Sequence, residues 1–222
     1  MLFRSGIAAV VVLVSLISGR IVPSFTRNWL VRMNPGRVPE PFSRFDGVAI
    51  AAGALALALW VALSSSPAAG VALMIAGALH LVRLARWAGD RTTADRLVLV
   101  LHVAYAFVPA GFLLLGASML WPQAIAASAG IHAWTTGAVG LMTLAVMTRA
   151  ILGHTGRPLA ASAATQAIYL CALLAALARI AAALGGWTDL VHVAGLAWVA
   201  AFGGFVVVYG PLLIARPPAW YR

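Results

Sequence analysis

The chain has 222 residues, of which 63% are hydrophobic and 9% are charged. Soluble domains carry roughly 25% charged residues, so this composition excludes an ordinary soluble protein. The formal net charge is +10, and all 15 basic residues are arginine. No nucleic-acid-binding motif accompanies this charge, so we do not expect nucleic acid as a partner.

Seven apolar segments are each about long enough to cross a membrane as a helix. They cover residues 7–25, 46–63, 67–85, 97–120, 124–148, 160–184 and 188–214. In lipid, backbone polar groups must be paired internally, and the alternating pattern of a membrane barrel is absent. The sequence therefore predicts an all-α, polytopic transmembrane helix bundle that forms one domain over residues 1–222.

The arginines are concentrated in alternate connections between these segments and in the tail. Those regions hold Arg20, Arg27, Arg32, Arg37, Arg44, Arg83, Arg86, Arg91, Arg96, Arg149, Arg157, Arg216 and Arg222. The positive-inside rule then places the N-terminus outside and the C-terminus in the cytoplasm, with the basic surface toward anionic lipid headgroups. A signal peptide over residues 1–19 is the alternative, but it would place the arginines that follow it outside.

Proline, glycine and tryptophan mark the ends of the predicted helices. Residues 26–45 contain Pro35 and Gly36 and are predicted to form an irregular loop, after which Asp46 caps the second helix. Tryptophans near predicted interfaces are expected in aromatic belts. These are Trp60, Trp121, Trp187 and Trp220.

Small residues share one face of the fifth segment, where Ala133, Gly137 and Gly140 follow at spacings of four and three. Such a face allows two helix backbones to approach closely. A flat macrocycle would need the same gap, so helix packing and a cofactor face both remain open.

Four of the five histidines lie within predicted helices. By the topology above, His80 and His102 lie toward the cytoplasmic side, and His132 and His192 toward the outer side. Facing imidazoles can hold haem iron or copper, and the alternative for each histidine is a hydrogen bond across the bundle. Cys171 is the single cysteine, so the sequence predicts neither a disulfide nor a thiolate metal site.

Arg179 is an arginine near the outer end of the sixth segment. Its side chain could extend toward the interface, pair with Asp189 or bind a haem propionate. Sequence alone leaves all three interpretations open.

The sequence GHTGRP at residues 153–158 is typical of a turn between two helices. Gly153 can end the fifth helix, Gly156 tolerates an unusual backbone conformation, and Pro158 suits the first turn of the next helix. The turn also gathers polar groups that could bind an anion. These are Arg149, His154 and Arg157.

The stretch HAWTTGAVGLMTLAVMTRAILGHTGRPL at residues 132–159 resembles the signature of the NnrS family of bacterial membrane proteins. The resemblance continues in GRIVPSFTRNWL, LHLVRLARW, LHVAYAFVPAGFLLLG and FVVVYGPLL, at residues 19–30, 79–87, 101–116 and 205–213. It therefore covers nearly the whole chain.

The resemblance implies a multi-pass protein of the bacterial inner membrane that contains haem and copper. It also implies a role in the nitric oxide response and nitrosative-stress resistance, often beside denitrification, with no settled reaction. Family members are roughly twice as long, so the chain is expected to correspond to the second half of a protein of about twelve helices. The missing N-terminal half or a second copy of the chain is then the expected protein partner.

Positions of the family signature are carried over to His132, Arg149, His154, Gly156 and Arg157. His80 and His102 lie in the other matching stretches, and His192 in a less clearly matching one. His132 and His154 are expected about a membrane apart, so they cannot share a metal, and His132 is the better candidate ligand.

The leading hypothesis is a protein that binds haem, copper or both, with nitric oxide as a ligand. The alternatives are a small-ligand transporter and a structural half-protein without a cofactor. A transporter would need broken helices near the midplane, and only Pro109 interrupts a segment near its centre. No acidic residue lies in the middle of a segment, which disfavours a proton-pumping enzyme.

Overall fold

The computed structural model describes residues 1–64 and 66–214, and over these residues it contains helices and turns but no strand. Seven helices are long and apolar enough to cross a membrane, which confirms the predicted all-α membrane bundle. Which end faces the cytoplasm stays a prediction. Arg216, Arg222 and Trp220 lie outside the described residues.

The spans follow one another with short connections. Their helices are α1 (Leu2–Met33), α2 (Arg44–Ala62), α3 (Pro67–Ala85), α4 (Arg96–Leu120), α5 (Ala127–His132), α6 (Met142–His154), α7 (Ala163–Gly185) and α8 (Thr188–Ile214). A 3₁₀ turn, Gly89–Arg91, precedes α4, and a π-helical segment, Ala133–Leu141, joins α5 to α6. Thus α5, the π segment and α6 together form the fifth span.

Helix α1 is longer than the sequence predicts. The apolar pattern indicates a helix over residues 7–25 and a loop over 26–45, yet α1 runs unbroken from Leu2 to Met33. Pro23 lies inside it, as membrane helices tolerate, and no further helix breaker occurs before Pro35 and Gly36. Consequently Thr26 lies within a helix and is fully buried.

The start of α2 shows that Asp46 has two roles. The helix begins at Arg44 after Ser43, so Asp46 occupies the third helical position. Its Oδ2 accepts the backbone N–H of Ser43 at 2.9 Å, which satisfies one of the amides left free at a helix start. The other oxygen, Oδ1, is therefore available to a second helix.

The turn after α6 differs from its prediction in two places. The helix continues past Gly153 to His154, and the left-handed residue that follows it is Gly156, with φ +66°. Helix α7 begins only at Ala163, capped by the hydroxyl of Ser162. Pro158 therefore lies in the connection rather than in the first turn of α7.

Helix α4 lies at the centre of the bundle and is the most buried span. It approaches its neighbours through glycines: a Cβ on Gly130 would lie 2.7 Å from the backbone N of Leu115 and 2.9 Å from the carbonyl of Gly111. Along the small face of the fifth span, Gly137 lies against Phe107 and Gly140 against Trp198. This face is filled by side chains of α4 and α8, so helix packing accounts for it.

The connection before α2 contacts the connection after α3. These contacts lie at the end of the bundle that holds Arg37, Arg86 and Arg91, which we call the arginine-rich end. Arg37 pairs with Asp90 at 2.6 Å, and Glu40 pairs with Arg86 at 2.8 Å. Arg91 donates to the backbone carbonyl of Asn34 at 3.1 Å. These contacts hold the Gly89–Arg91 turn against the chain that leaves α1.

Candidate functional site

A network of polar side chains is buried between α1, α2, α3 and α4, with Arg83 at its centre. The prediction that Arg83 belongs to a connection is wrong, since it lies in the last turn of α3 with 0% of its surface exposed. Its Nε donates to Oδ1 of Asp46 at 3.1 Å, and its Nη1 donates to the Ser15 carbonyl at 3.0 Å. A buried charge requires such pairing, so this ion pair sets how α2 and α3 pack.

Tyr105 of α4 joins this ion pair to the first buried histidine. Its hydroxyl oxygen accepts Nη1 of Arg83 at 2.9 Å and lies 2.7 Å from Nδ1 of His80. The guanidinium group can only donate, so the phenolic O–H is free to donate to His80. We assign Nδ1 of His80 as the acceptor, which leaves the ring proton on Nε2.

Nε2 of His80 points toward Gly53 of α2. A Cβ at that position would lie 2.9 Å from the nitrogen, so glycine provides the room that the imidazole occupies. On its other side the ring stacks on Phe112, with centroids 5.3 Å apart. His80 is therefore fixed on three sides by a phenol, a phenyl ring and a helix backbone.

His102 is the second buried histidine, and its two ring nitrogens have different surroundings. Nε2 lies 2.8 Å from Oγ1 of Thr26, and that hydroxyl also lies 2.8 Å from the Val22 carbonyl. The carbonyl can only accept, so it takes the single threonine proton, and we assign the His102 proton to Nε2. Nδ1 then carries a lone pair, and it is buried without a hydrogen-bond partner.

The unpartnered nitrogen of His102 faces the Gly89–Arg91 turn. A Cβ on Gly89 would lie 2.5 Å from Nδ1, closer than real Cβ atoms come to other atoms. A buried acceptor without a partner costs about 1–3 kcal/mol. Among the described residues, Nδ1 of His102 is therefore an imidazole acceptor that the protein itself leaves unpaired.

Two aromatic rings link the histidines of α3 and α4. The rings of Trp87 and Tyr105 lie 4.5 Å apart, and the ring of His102 lies 6.5 Å from Trp87. His80 and His102 therefore belong to one buried layer near the arginine-rich end, as the sequence predicts. The indole and the phenol lie beside both of them.

The structure does not join the other predicted histidine pair. His132 ends α5 and is half-buried, whereas His192 lies on the exposed face of α8. Among the described residues, neither makes a hydrogen bond or ring contact with another histidine. Arg179 is half-buried on α7, and no ion pair joins it to Asp189 in the described part of the chain.

The residues around the turn after α6 do not all face one site. The guanidinium of Arg149 lies 4.3 Å from the ring centroid of Phe25 on α1, with one buried Nη1 left unpaired. His154 and Arg157 are exposed, and the backbone N–H of Arg157 donates to the Leu152 carbonyl at 2.9 Å. The turn is stabilised by its own backbone, and anion binding there stays a prediction.

Sequence reasoning missed Thr26, Trp87 and Tyr105 as parts of the site. A signal was present in the spacing: Arg83 follows His80 by three residues, and Tyr105 follows His102 by three. Residues three apart lie on one face of a helix, so each histidine shares its face with another polar residue of the network. Nothing in the local sequence around Thr26 connects it to His102, because the residues are 76 positions apart.

Comparison with known proteins agrees with the earlier resemblance, since the family model described as NnrS protein matches residues 1–216. The chain belongs to the NnrS family. No curated protein and no solved structure matches it. Membership of the NnrS family supports metal or haem binding in general, and the seven apolar helices fit a multi-pass membrane protein.

The described part of this NnrS family member contains no cluster of three or more histidine, cysteine, aspartate or glutamate residues. The donors that the fold does bring together are the two imidazoles beside Trp87 and Tyr105. Of these, His102 offers a free lone pair, and His80 does not in its assigned tautomer.

Proposed function

We propose that the chain is an NnrS-like integral membrane protein of the bacterial inner membrane and that it binds copper through His102. Its proposed role is in the nitric oxide response and nitrosative-stress resistance. One observation carries the assignment of the residue: Nδ1 of His102 is buried, unpartnered and, in the assigned tautomer, deprotonated. Imidazole nitrogen is a good copper ligand. Cuprous copper, when bound, supplies a centre to which nitric oxide can coordinate.

The surroundings of His102 resemble those of metal-binding histidines in general. Such histidines almost always donate their second ring N–H to a fixed acceptor, which sets the tautomer and the ring orientation. Thr26 provides that acceptor, and the Val22 carbonyl fixes its hydroxyl in turn. The role of the protein residues is therefore to keep the lone pair of Nδ1 available in an apolar environment.

A haem held by a histidine needs a cleft beside that histidine. Such a cleft measures several hundred Å³, and one groove of about 710 Å³ is that large. That groove lies between α1, α2 and the connection after α1, and neither it nor the four smaller grooves is lined by a histidine. The imidazole donors therefore favour a single copper ion, which needs no cleft of that size.

Copper binding is tested by comparing the wild-type chain with His102→Ala and His192→Ala, purified in detergent and loaded with Cu(I). We expect the wild type and His192→Ala to retain copper after desalting, because His192 lies on the exposed face of α8. His102→Ala should retain none. Elemental analysis per chain measures the result, and a visible spectrum of the same samples reports any haem.

Equal copper retention by wild type and His102→Ala, with both proteins folded, would remove the proposed site. The physiological role is tested separately, by growth of bacteria exposed to a nitric oxide donor while they express each variant. Protection by the wild type and by His192→Ala, but not by His102→Ala, is the expected pattern. Equal protection by all three proteins would show that protection from nitric oxide does not require copper binding at His102.

Replacing Thr26 by valine tests the orientation of His102 without removing the ligand. Valine keeps the shape of threonine but cannot accept a hydrogen bond from the Nε2–H group of His102, so the ring loses the contact that fixes its tautomer. Outer-sphere changes of this kind lower metal affinity about 10–100-fold. Cu(I) affinity measured by competition with a chromophoric chelator checks this, and Thr143→Val, at an exposed threonine, is the control.

The small-ligand transporter gains no support from the prolines within the described helices. Pro109 lies inside α4, which continues through it from Arg96 to Leu120 without a break. Prolines also lie within α1 and α8, and both helices remain continuous. No observation favours a structural half-protein over a cofactor-binding one.

A further inference from the structure

Aromatic rings form a continuous path through the bundle that metal binding does not require. In order the rings belong to Trp60, Trp134, Phe112, His80, Tyr105, Trp87 and His102. Successive ring centroids lie 5.9, 5.0, 5.3, 6.1, 4.5 and 6.5 Å apart. All seven residues are buried, so the path is shielded from water and lipid along its length.

The path connects the two ends of the bundle. Trp60 lies near the C-terminal end of α2, and Trp87 follows the C-terminal end of α3. These two helices are consecutive spans joined by a short turn, so their C-terminal ends face opposite sides. Trp134 lies in the fifth span, and its indole N–H donates a hydrogen bond to the Val108 carbonyl at 3.0 Å, which holds the ring in place.

Trp60 lines a shallow groove on the side of the bundle opposite the arginine-rich end. The groove has a volume of about 250 Å³ and is also lined by Arg4 and Ser64. The guanidinium of Arg4 lies 5.8 Å from the centroid of the Trp60 ring. A small redox partner could approach the path at this groove.

Tryptophan and tyrosine are the side chains most easily oxidised by one electron among those on the path, whereas phenylalanine and imidazole resist oxidation. Phe112 and His80 therefore bridge Trp134 to Tyr105 without being oxidised themselves. Tyrosine loses its proton when it is oxidised, and so needs a base beside it. In this protein the base is Nδ1 of His80, 2.7 Å from the phenolic oxygen.

We propose that the aromatic path carries single electrons through the bundle and that Tyr105 is its redox-active residue, with His80 as the acceptor of its proton. The cationic Arg83 on the same phenolic oxygen can only donate. The phenolic proton therefore has one acceptor, and the buried ion pair with Asp46 keeps Arg83 in place. The proposal does not depend on bound copper, and it gives His80 a role different from that of His102.

A high-potential transition-metal complex at the groove removes one electron from Trp60. Trp134 then gives an electron to the oxidised Trp60. Tyr105 then supplies an electron that restores the tryptophan. Its O–H bond breaks and an N–H bond forms at Nδ1 of His80, which leaves a neutral tyrosyl radical and an imidazolium. Reduction reverses both transfers.

The test attaches a ruthenium polypyridyl photosensitiser at the Trp60 end of the metal-free chain of 222 residues. Ser64→Cys provides the attachment site in a Cys171→Ser background. Laser excitation with an external electron acceptor produces ruthenium(III), and transient absorption and electron paramagnetic resonance detect radicals. We expect a tyrosyl radical whose formation is slower in D₂O, because the proton moves with the electron.

Two comparisons assign the radical and the route. Tyr105→Phe should lose most of the tyrosyl signal, whereas Tyr169→Phe should keep it. Tyr169 is a suitable control because it is buried, is hydrogen-bonded to Thr148 and is not one of the rings of the path. Trp134→Phe should lower the yield. A label on Thr188→Cys, at the same end of the bundle but away from the path, should give little tyrosyl radical.

The proposal is overturned by any of three outcomes. These are no tyrosyl radical from the Ser64→Cys label, a signal that persists in folded Tyr105→Phe, or equal yields from the two label positions. If Tyr105→Phe does not fold, Trp134→Phe decides, because it leaves both hydrogen bonds of the phenol intact. Melting temperature and size-exclusion elution establish folding for every variant.

Discussion

Asp46→Asn is expected to lower the stability of the bundle by about 3–5 kcal/mol, because it leaves the charge of Arg83 buried without a counter-ion. The substitution keeps the size of the side chain and an oxygen toward Ser43, so the lost charge is the main change. In a chain of this length the loss corresponds to a fall in melting temperature of about 6–20 °C. Fluorescence-detected size-exclusion after heating in detergent measures it.

Asp90→Asn is the matched control for this charge. Its partner is Arg37, and both side chains are largely exposed, at 65% and 55%. Exposed pairs contribute about 0–1 kcal/mol, so we expect almost no shift. Adding Arg83→Met to Asp46→Asn should recover part of the loss by removing the unpaired charge. Equal melting temperatures for Asp46→Asn and Asp90→Asn would show that the buried pair does not hold α2 and α3 together.

Gly130→Ala is also expected to lower the stability of the bundle strongly. Here the cause is a steric clash and not an unpaired charge. The new Cβ would lie 2.7 Å from the backbone N of Leu115 and 2.9 Å from the Gly111 carbonyl. Backbone cannot rotate away as a side chain can, so α4 and α5 must separate. Overpacking costs about 1–3 kcal/mol, and more where backbone must move. The same melting assay measures it.

Gly195→Ala is the control for this substitution. Gly195 lies on α8, and the position that a Cβ would take there has no other atom within 4 Å, so alanine meets open space. We expect an unchanged or slightly higher melting temperature, since alanine restricts the unfolded chain more than glycine does. A similar fall in both variants would mean that the α4–α5 contact is looser than these distances indicate.

The sequence predicts the spans well because length and apolar composition are enough to define a membrane helix. Rotation of each helix about its axis is harder to predict, because in an apolar sequence every face looks alike. Arg83 shows the difficulty: it lies at a helix end, as loop arginines do, but turns inward to meet Asp46 37 positions earlier. Trp60 likewise lies at a helix end, yet only 3% of its surface is exposed.

The candidate site is predictable only in part, for the same reason. The sequence groups His80 and His102 by depth, which follows from their position along the spans. The state of each ring nitrogen depends on Thr26 and Tyr105, which only the packed helices bring into contact. His132 as the better ligand stays a prediction, and the structure provides stronger physical grounds for His102.

The π segment Ala133–Leu141 has a consequence for the end of the fifth span. Each turn of π-helix contains one residue more than an α-turn, and one residue corresponds to about 100° of rotation in an α-helix. The segment therefore acts as an angular offset between α5 and α6. It decides which way Arg149 points, and so why that side chain meets Phe25 of α1. A relative that lacks one residue in this stretch would keep the span but direct its arginine elsewhere.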